Sequence, residues 1–378
     1  MFERELEATA RAMVAPGKGI LAADESTGTI GKRFDSINVE NIEENRRAYR
    51  DMLFTTKGIG EHISGVILFD ETLKQKSADG TSFVDLLNKN GVLPGIKVDA
   101  GAKSLAFCPG ETVTEGLDNL PKRCAEYVKL GAKFAKWRAV ITIGNGIPSQ
   151  ACISANAHAL ARYAAICQAA GLVPIVEPEV LMDGAHDIDR CEAVTESTLR
   201  SVFAALANQR VRLEEMVLKP SMVISGKDCP KQASVSEVAA RTLAVLKRTV
   251  PGAVPGIAFL SGGQSDEEAT AHLDAMNKIG SLPWNLTFSY GRALQAAPQK
   301  AWSGKTENVA AAQRAFSHRA KMNGLAALGH GATPDQAAYL GDTLDGSASA
   351  GGGNEGGLRC LPIGSFVSAG RPDRKSVV

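Results

Sequence analysis

Short apolar runs alternate with amphipathic segments between residues 17 and 292. The runs are rich in β-branched residues, and each is followed by a segment of about ten to twenty residues with helical spacing. This alternation predicts a parallel α/β sheet. The eight predicted strands are residues 19–23, 65–69, 95–99, 134–141, 173–180, 217–223, 256–260 and 284–290.

Eight β-α units in a segment of this length predict a closed (β/α)8 TIM barrel. A doubly wound open sheet is the alternative, but the chain has neither a G-x-G-x-x-G nor a G-x-x-x-x-G-K-[ST] motif to favour it. Capping-box spacings predict helix starts at Asn41 with Glu44, at 234 with 237, and at 265 with 268.

The chain is expected to form one catalytic domain over residues 1–340. An Ala-rich helix at 306–329 is predicted to pack against the barrel. Residues 341–378 are rich in Gly and Ser and poor in apolar side chains, which predicts a mobile tail.

Composition indicates a globular protein of the cytoplasm. Charged residues are 22% and the formal net charge is +1, so neither nucleic acid nor a membrane surface is an expected partner. Seven cysteines lack any C-x-x-C pair, which favours reduced thiols. The acidic start of the chain is unlike a signal or transit peptide, and no stretch has the roughly 20 apolar residues of a membrane span.

Polar residues collect where the predicted strands end, which is where a barrel of this kind has its active site. Because strand side chains alternate, three pairs are each expected on one face: Lys97 with Asp99, Lys136 with Arg138, and Glu177 with Glu179. An internal salt bridge is the alternative for any single pair. Several unpaired charges in one enclosed mouth are expected, and such charges point to substrate binding or catalysis.

Two anion sites are predicted at this mouth. The Ser261-Gly262-Gly263 turn before a capped helix, together with Gly291-Arg292 after the last strand, predicts a phosphate site. Arg292 is able to add a bidentate contact. A second site is predicted from Ser26, Thr29, Lys97 and Arg138, and two such sites suit a bisphosphorylated sugar.

Lys219 lies between the two predicted anion sites, in the apolar run at 217–223. Alone it would be a lysine that extends its charge out of a buried strand. A second ammonium nearby, that of Lys136, would disfavour protonation of Lys219, and a neutral amine attacks carbonyl carbons. Asp24, Glu177 and Glu179 are the carboxylates available to move protons.

Seven ordered motifs between about residues 17 and 330 closely resemble those of class I fructose-1,6-bisphosphate aldolases. They are GILAADES at 19–26, GIKVD at 95–99, FAKWR at 134–138, IVEPE at 175–179, LKP at 218–220, FLSGGQ at 259–264 and SYGR at 289–292. The resemblance implies a metal-independent, cofactor-free Schiff-base lyase of glycolysis and gluconeogenesis. Such enzymes interconvert fructose 1,6-bisphosphate with dihydroxyacetone phosphate and glyceraldehyde 3-phosphate and are usually homotetramers.

The resemblance also implies roles for individual residues. Lys219 matches the Schiff-base lysine, Glu177 the acid and base of imine formation, and Asp24 the carboxylate near the C4 hydroxyl. Lys136 and Glu179 match the charged partners of these groups. The implied substrate-binding residues are Ser26, Thr29, Arg33, Lys97, Arg138, Ser261, Gly262, Ser289, Gly291 and Arg292.

Two departures from the family pattern are present. Thr29 stands where many members have serine, which keeps the hydroxyl. The family commonly ends in a tyrosine that assists proton exchange on the enamine, whereas the last tyrosine here is Tyr339 and the chain ends in Val378. We expect slower enamine protonation or another donor, and a reduced preference for the bisphosphate over fructose 1-phosphate.

Other readings of the sequence are a transaldolase, a deoxyribose-phosphate aldolase, a metal-dependent aldolase and a non-catalytic scaffold. Two phosphate sites argue against the first two, which handle monophosphates. Asp183, His186 and Asp187 resemble metal ligands but are expected in a solvated loop. The joint presence of Lys219, Glu177 and Asp24 argues against a scaffold.

Overall fold

A computed structural model describes residues 3–331, and their main sheet is a closed barrel of eight parallel strands. The prediction of a (β/α)8 barrel is confirmed. The barrel strands are β1 (Gly19–Ala23), β2 (Ile63–Leu68), β3 (Leu93–Lys97), β6 (Phe134–Ile141), β7 (Val173–Val180), β8 (Val217–Leu218), β9 (Gly256–Phe259) and β10 (Asn285–Tyr290). They follow one another around the barrel in this order, and β10 pairs back to β1.

Helices surround the barrel and connect its strands. They are α1 (Glu3–Met13), α2 (Thr27–Asp35), α3 (Glu43–Phe54), α4 (Asp70–Lys74), α5 (Phe83–Lys89), α6 (Leu120–Lys129), α7 (Gln150–Ala170), α8 (Ile188–Asn208), α9 (Val235–Thr249), α10 (Asp266–Ile279), α11 (Arg292–Trp302) and α12 (Val309–Ala327). Short 3-10 turns occupy Ile59–Glu61, Leu213–Glu215 and Thr306–Asn308. A small antiparallel hairpin of β4 (Ala102–Ser104) and β5 (Thr112–Thr114), which the sequence did not predict, follows β3.

The strand at β8 is much shorter than the predicted run of 217–223, because its ladder ends at a proline. The Lys219 amide still donates to the Val176 carbonyl at 2.8 Å, but Pro220 has no N–H to continue the pattern. Lys219 therefore stands just beyond the carboxyl end of the strand, at the barrel mouth.

Helix α1 closes the opposite end of the barrel. Leu6, Ala10 and Met13 are buried against inward-facing apolar residues of the strands, including Ile20 and Phe134. Burial of this apolar face in the barrel floor is the main source of the helix's stability. The barrel floor is thus packed with apolar side chains, and the charged residues that line the cavity lie at the other end.

Two of the three predicted helix starts agree with the structure. Ser265 and Glu268 form a reciprocal capping box, and Ser234 accepts from the Glu237 amide. The prediction for Asn41 is wrong, because α3 begins two residues later and the Asn41 side chain donates to the Thr27 carbonyl at 2.9 Å instead.

Helix α12 packs on the barrel helices, as predicted for 306–329. Arg319 donates to the Ala293 carbonyl at 3.0 Å, and Asn323 accepts from Thr270 at 2.8 Å. Within residues 3–331 no helix is long and apolar enough to cross a membrane. The predicted tail at 341–378 and the expectation about the missing tyrosine lie outside the described residues, so the division into 1–340 and 341–378 stays a prediction.

Candidate active site

A cavity of about 580 Å³ opens at the carboxyl ends of the strands. Every substrate-binding and catalytic residue predicted from the sequence lines it, although these residues come from seven of the eight barrel strands or from the turns and helices that follow them. The structure therefore brings the predicted site residues together. The lining residues that the sequence did not single out as site residues are Ala22, Glu25, Leu181, Met182, Asp183, Lys227 and Leu260.

A line of four alternating charges crosses the floor of the cavity. The Lys136 ammonium lies 2.9 Å from Asp24 Oδ2 and 3.2 Å from Glu177 Oε2. The Lys219 ammonium lies 3.1 Å from the other oxygen, Glu177 Oε1. Glu177 thus shares its two oxygens between two lysines, and Lys136 links it to Asp24.

These buried charges alter the protonation of their neighbours. Burial by itself raises the pKa of Asp24, but the ammonium groups of Lys136 and Lys219 outweigh burial and lower it to about 2. Burial by itself lowers the pKa of Lys136, but Asp24 and Glu177 hold it well above its ordinary value. Asp24 is therefore a carboxylate and Lys136 an ammonium at neutral pH.

Lys219 differs in its surroundings from the sequence-based expectation. The run around it is apolar, yet its side chain points to a carboxylate and is only 3% exposed. Its neighbours along the strand pack into the core, whereas Lys219 itself faces the cavity. Glu177 is positioned to accept the proton that the lysine must lose before it can act as a nucleophile.

The expectation of several unpaired charges is wrong. Arg138 Nε bonds Glu179 Oε2, and Lys97 Nζ lies 2.8 Å from Asp99 Oδ1. The register places Arg138 on β6 opposite Glu177 on β7, and Glu179 lies two residues further along β7, where the Arg138 side chain reaches it. Arg292 is the exception: it donates to the Gln264 carbonyl at 3.1 Å and forms no ion pair within residues 3–331.

The first predicted anion site has the backbone geometry it requires. Gly263 has a φ of +77°, which favours glycine, and a Cβ there would lie 2.8 Å from Met182 Sδ. Gly291 forms the N-cap of α11, directly before Arg292. Ser289 Oγ is buried and has no hydrogen-bond partner among the described residues, so it is free to bind a ligand. This end of the cavity offers amides, a hydroxyl and one uncompensated cation to an anion.

The second predicted anion site lies at the start of α2. Ser26 is the N-cap, accepting from the Thr29 amide, and the two hydroxyls are 3.1 Å apart. A helix N-terminus favours negative charge, and Lys97 and Arg138 line the same cavity. The replacement of serine by threonine keeps a hydroxyl at this position.

Glu25 is a buried residue that the sequence analysis did not assign. It binds Arg33 through one oxygen and Arg50 through the other, the latter at 2.6 Å, and Gln295 donates to it at 2.9 Å. Arg33 lines the cavity, whereas Arg50 is 3% exposed behind it. The position of Glu25 within the GILAADES motif could have marked it as a site residue, but nothing in the sequence links it to Arg50 on α3.

Asp183 lies in an exposed loop, as predicted, and this loop also lines the cavity. Its carboxylate pairs with Lys227 at 2.9 Å, and Asp187 caps α8. Within residues 3–331 no three or more His, Cys, Asp or Glu side chains are arranged to hold a metal ion.

Comparison with known proteins gives a consistent result. The family described as "Fructose-bisphosphate aldolase class-I" matches residues 5–343. A probable fructose-bisphosphate aldolase class 1 of Xanthomonas axonopodis pv. citri is 62% identical over 87% of this chain and 99% of its own. Cytosolic fructose-bisphosphate aldolase 5 of Arabidopsis thaliana is 61% identical, over 89% of this chain and 95% of its own.

A solved structure has the same fold. The fructose-bisphosphate aldolase of Plasmodium falciparum superposes with a TM-score of 0.86 at 52% identity, covering 86% of this chain and 95% of that one. The barrel, the charged cavity and these relatives agree with one another. The chain belongs to the class I fructose-bisphosphate aldolase family.

Proposed function

We propose that Lys219 forms the Schiff base through which the protein cleaves fructose 1,6-bisphosphate reversibly into dihydroxyacetone phosphate and glyceraldehyde 3-phosphate. The observation that carries this assignment is the placement of the Lys219 ammonium 3.1 Å from Glu177 in a cavity that also contains the residues of both predicted anion sites. The activity is that of the family, and the roles of individual residues are our proposal.

Glu177 serves imine formation and breakdown. It takes the proton from the Lys219 ammonium, and the amine then adds to the C2 carbonyl of the sugar. The protonated Glu177 next gives its proton to the carbinolamine hydroxyl, which leaves as water and produces the iminium. Lys136 contacts the second oxygen of Glu177 at 3.2 Å and keeps the carboxylate oriented during these transfers.

Asp24 serves the cleavage step. The iminium draws the electrons of the C3–C4 bond and becomes an enamine, while the C4 hydroxyl gives its proton to Asp24 and becomes the aldehyde. With its pKa lowered to about 2, Asp24 is already ionised and able to accept a hydrogen bond from that hydroxyl. Glu179, held by Arg138, supports the same wall of the cavity. The enamine then takes a proton at C3, and water hydrolyses the iminium.

The two anion sites hold the two phosphates. In the Schiff base, C2 is attached to Lys219, and the 1-phosphate is separated from C2 only by C1 and the ester oxygen. Strand β9, which pairs with β8, leads into the Ser261–Gly263 turn. We therefore place the 1-phosphate at that turn with Ser289, Gly291, Arg292 and Arg33, and the 6-phosphate at Ser26, Thr29, Lys97 and Arg138.

Borohydride reduction tests the proposal. Fructose 1,6-bisphosphate and sodium borohydride should inactivate the protein and add the mass of one reduced triose phosphate per chain. Lys219→Met should abolish both turnover and the mass increase, whereas Lys122→Met, at an exposed position on α6, should change neither. Turnover that persists in Lys219→Met, or that a chelator removes, would contradict the mechanism.

Assembly and compartment are further proposals. The resemblance to class I aldolases supports a homotetramer, and light scattering should give four times the mass of one chain. The relatives from Arabidopsis that are named cytosolic support a cytoplasmic location, which fractionation of the source cells would test.

A further inference from the structure

Two loops form one rim of the cavity mouth, which we define as residues 182–186 and 226–228. Three backbone hydrogen bonds join them: Gly226 N to His186 O at 2.8 Å, Lys227 N to Met182 O at 2.8 Å, and Asp228 N to Gly184 O at 3.0 Å. A Cβ on Gly226 would lie 2.3 Å from the Gly184 carbonyl oxygen, so the close approach requires glycine. The rim therefore holds the base of Lys227 in a fixed place.

Lys227 is a cavity cation that a substrate can recruit at little cost. It lines the cavity, and its ammonium pairs with Asp183 at 2.9 Å, with side-chain exposures of 47% and 64%. Exposed pairs of this kind contribute only about 0–1 kcal/mol, so the lysine leaves its partner at little cost. The partner of Lys136, by contrast, is a buried carboxylate.

The rim lies against the turn where we place the 1-phosphate. Met182, whose carbonyl accepts from Lys227, packs on this turn: a Cβ added at Gly263 would lie 2.8 Å from its Sδ. A Cβ added at Gly262 would lie 3.9 Å from Met182 Cε. The Met182 side chain therefore lies between the backbone that carries Lys227 and the Ser261–Gly263 turn, and the Lys227 side chain is flexible.

We propose that Lys227 is an additional substrate-binding residue, which leaves Asp183 and contacts the 1-phosphate when substrate enters. This inference rests on the proposed function, since it uses the placement of that phosphate. In this position Lys227 contacts the phosphate and none of the atoms that react, so its contact is the same in the bound ground state and in the transition state. Loss of such a contact raises KM and leaves kcat unchanged.

The test compares steady-state cleavage of fructose 1,6-bisphosphate and of fructose 1-phosphate at low ionic strength. Lys227→Met should raise KM for both substrates by the same factor, about fivefold, as expected for one partly exposed charge-assisted hydrogen bond. Lys227→Arg should keep most of the affinity. Asp183→Asn should lower KM, because the carboxylate that competes for the ammonium is gone. Lys122→Met, an exposed cation away from the cavity, is the matched control.

An unchanged KM in Lys227→Met would overturn the proposal, as would an increase confined to the bisphosphate, which would place Lys227 at the 6-phosphate. These outcomes are distinguishable from failure of the proposed function. If borohydride still traps substrate on the unaltered protein, and Lys227→Met has the same KM as the unaltered protein, only the role assigned to Lys227 is wrong. If borohydride traps nothing, the Schiff-base assignment itself fails.

Discussion

Replacement of Asp24 by asparagine should cost stability in a pH-dependent way. The folded protein lowers the pKa of this carboxyl from 3.8 to about 2, because Lys136 and Lys219 outweigh the effect of burial. A carboxyl with a depressed pKa in the folded state stabilises the protein above its unfolded pKa, and this contribution is lost as pH falls toward the folded pKa. A shift of this pKa from 3.8 to about 2 adds about 2 kcal/mol to the free energy of unfolding at pH 7 and about 1 kcal/mol at pH 3.

Denaturant unfolding at fixed protein concentration measures this effect. The free energy of unfolding of the unaltered protein should exceed that of Asp24→Asn by about 2 kcal/mol at pH 7, and by about 1 kcal/mol at pH 3. Glu5→Gln, at an exposed position on α1, controls for loss of a carboxylate and should change stability by less than about 0.5 kcal/mol at either pH. A difference between the unaltered protein and Asp24→Asn that is the same at both pH values would refute the reasoning.

Two further substitutions probe the supports of the site. Arg50→Met should lower the free energy of unfolding by about 3–5 kcal/mol, because it leaves Glu25 buried with one partner fewer. Its control, Arg11→Met, breaks only an exposed ion pair and should cost less than about 1 kcal/mol. Comparable losses in the two variants would contradict the buried role of Arg50. Gly263→Ala should raise KM for both phosphorylated substrates, since its positive φ and the contact with Met182 leave no room for a Cβ, and an unchanged KM would show that this turn does not bind phosphate.

The barrel was predictable because each of its signals is local. Apolar runs such as 134–141 and 173–180 coincide with β6 and β7, and Ser265 with Glu268 forms the predicted capping box. The local signals failed where a tertiary contact competes with them. Asn41 has cap spacing, yet its side chain bonds the Thr27 carbonyl in another segment.

The membership of the cavity was predictable, but the pairing within it was not. Strand ends of a parallel barrel meet at one face, so Lys219, Glu177 and Asp24 had to converge. Which carboxylate neutralises which lysine depends on register and on side-chain reach between segments far apart in sequence. The Glu25–Arg50 pair, between the β1 end and α3, leaves no spacing signal at all.

The identity of the modified lysine tests directly whether Lys219 forms the Schiff base. The protein is incubated with fructose 1,6-bisphosphate and borohydride, digested, and the modified peptide is located by mass spectrometry. Lys136 is an internal comparison, because it lies in the same cavity and contacts the same carboxylate as Lys219. We expect the reduced triose phosphate on Lys219 and none on Lys136; an adduct on Lys136, or none on either lysine, would contradict the assignment of Lys219.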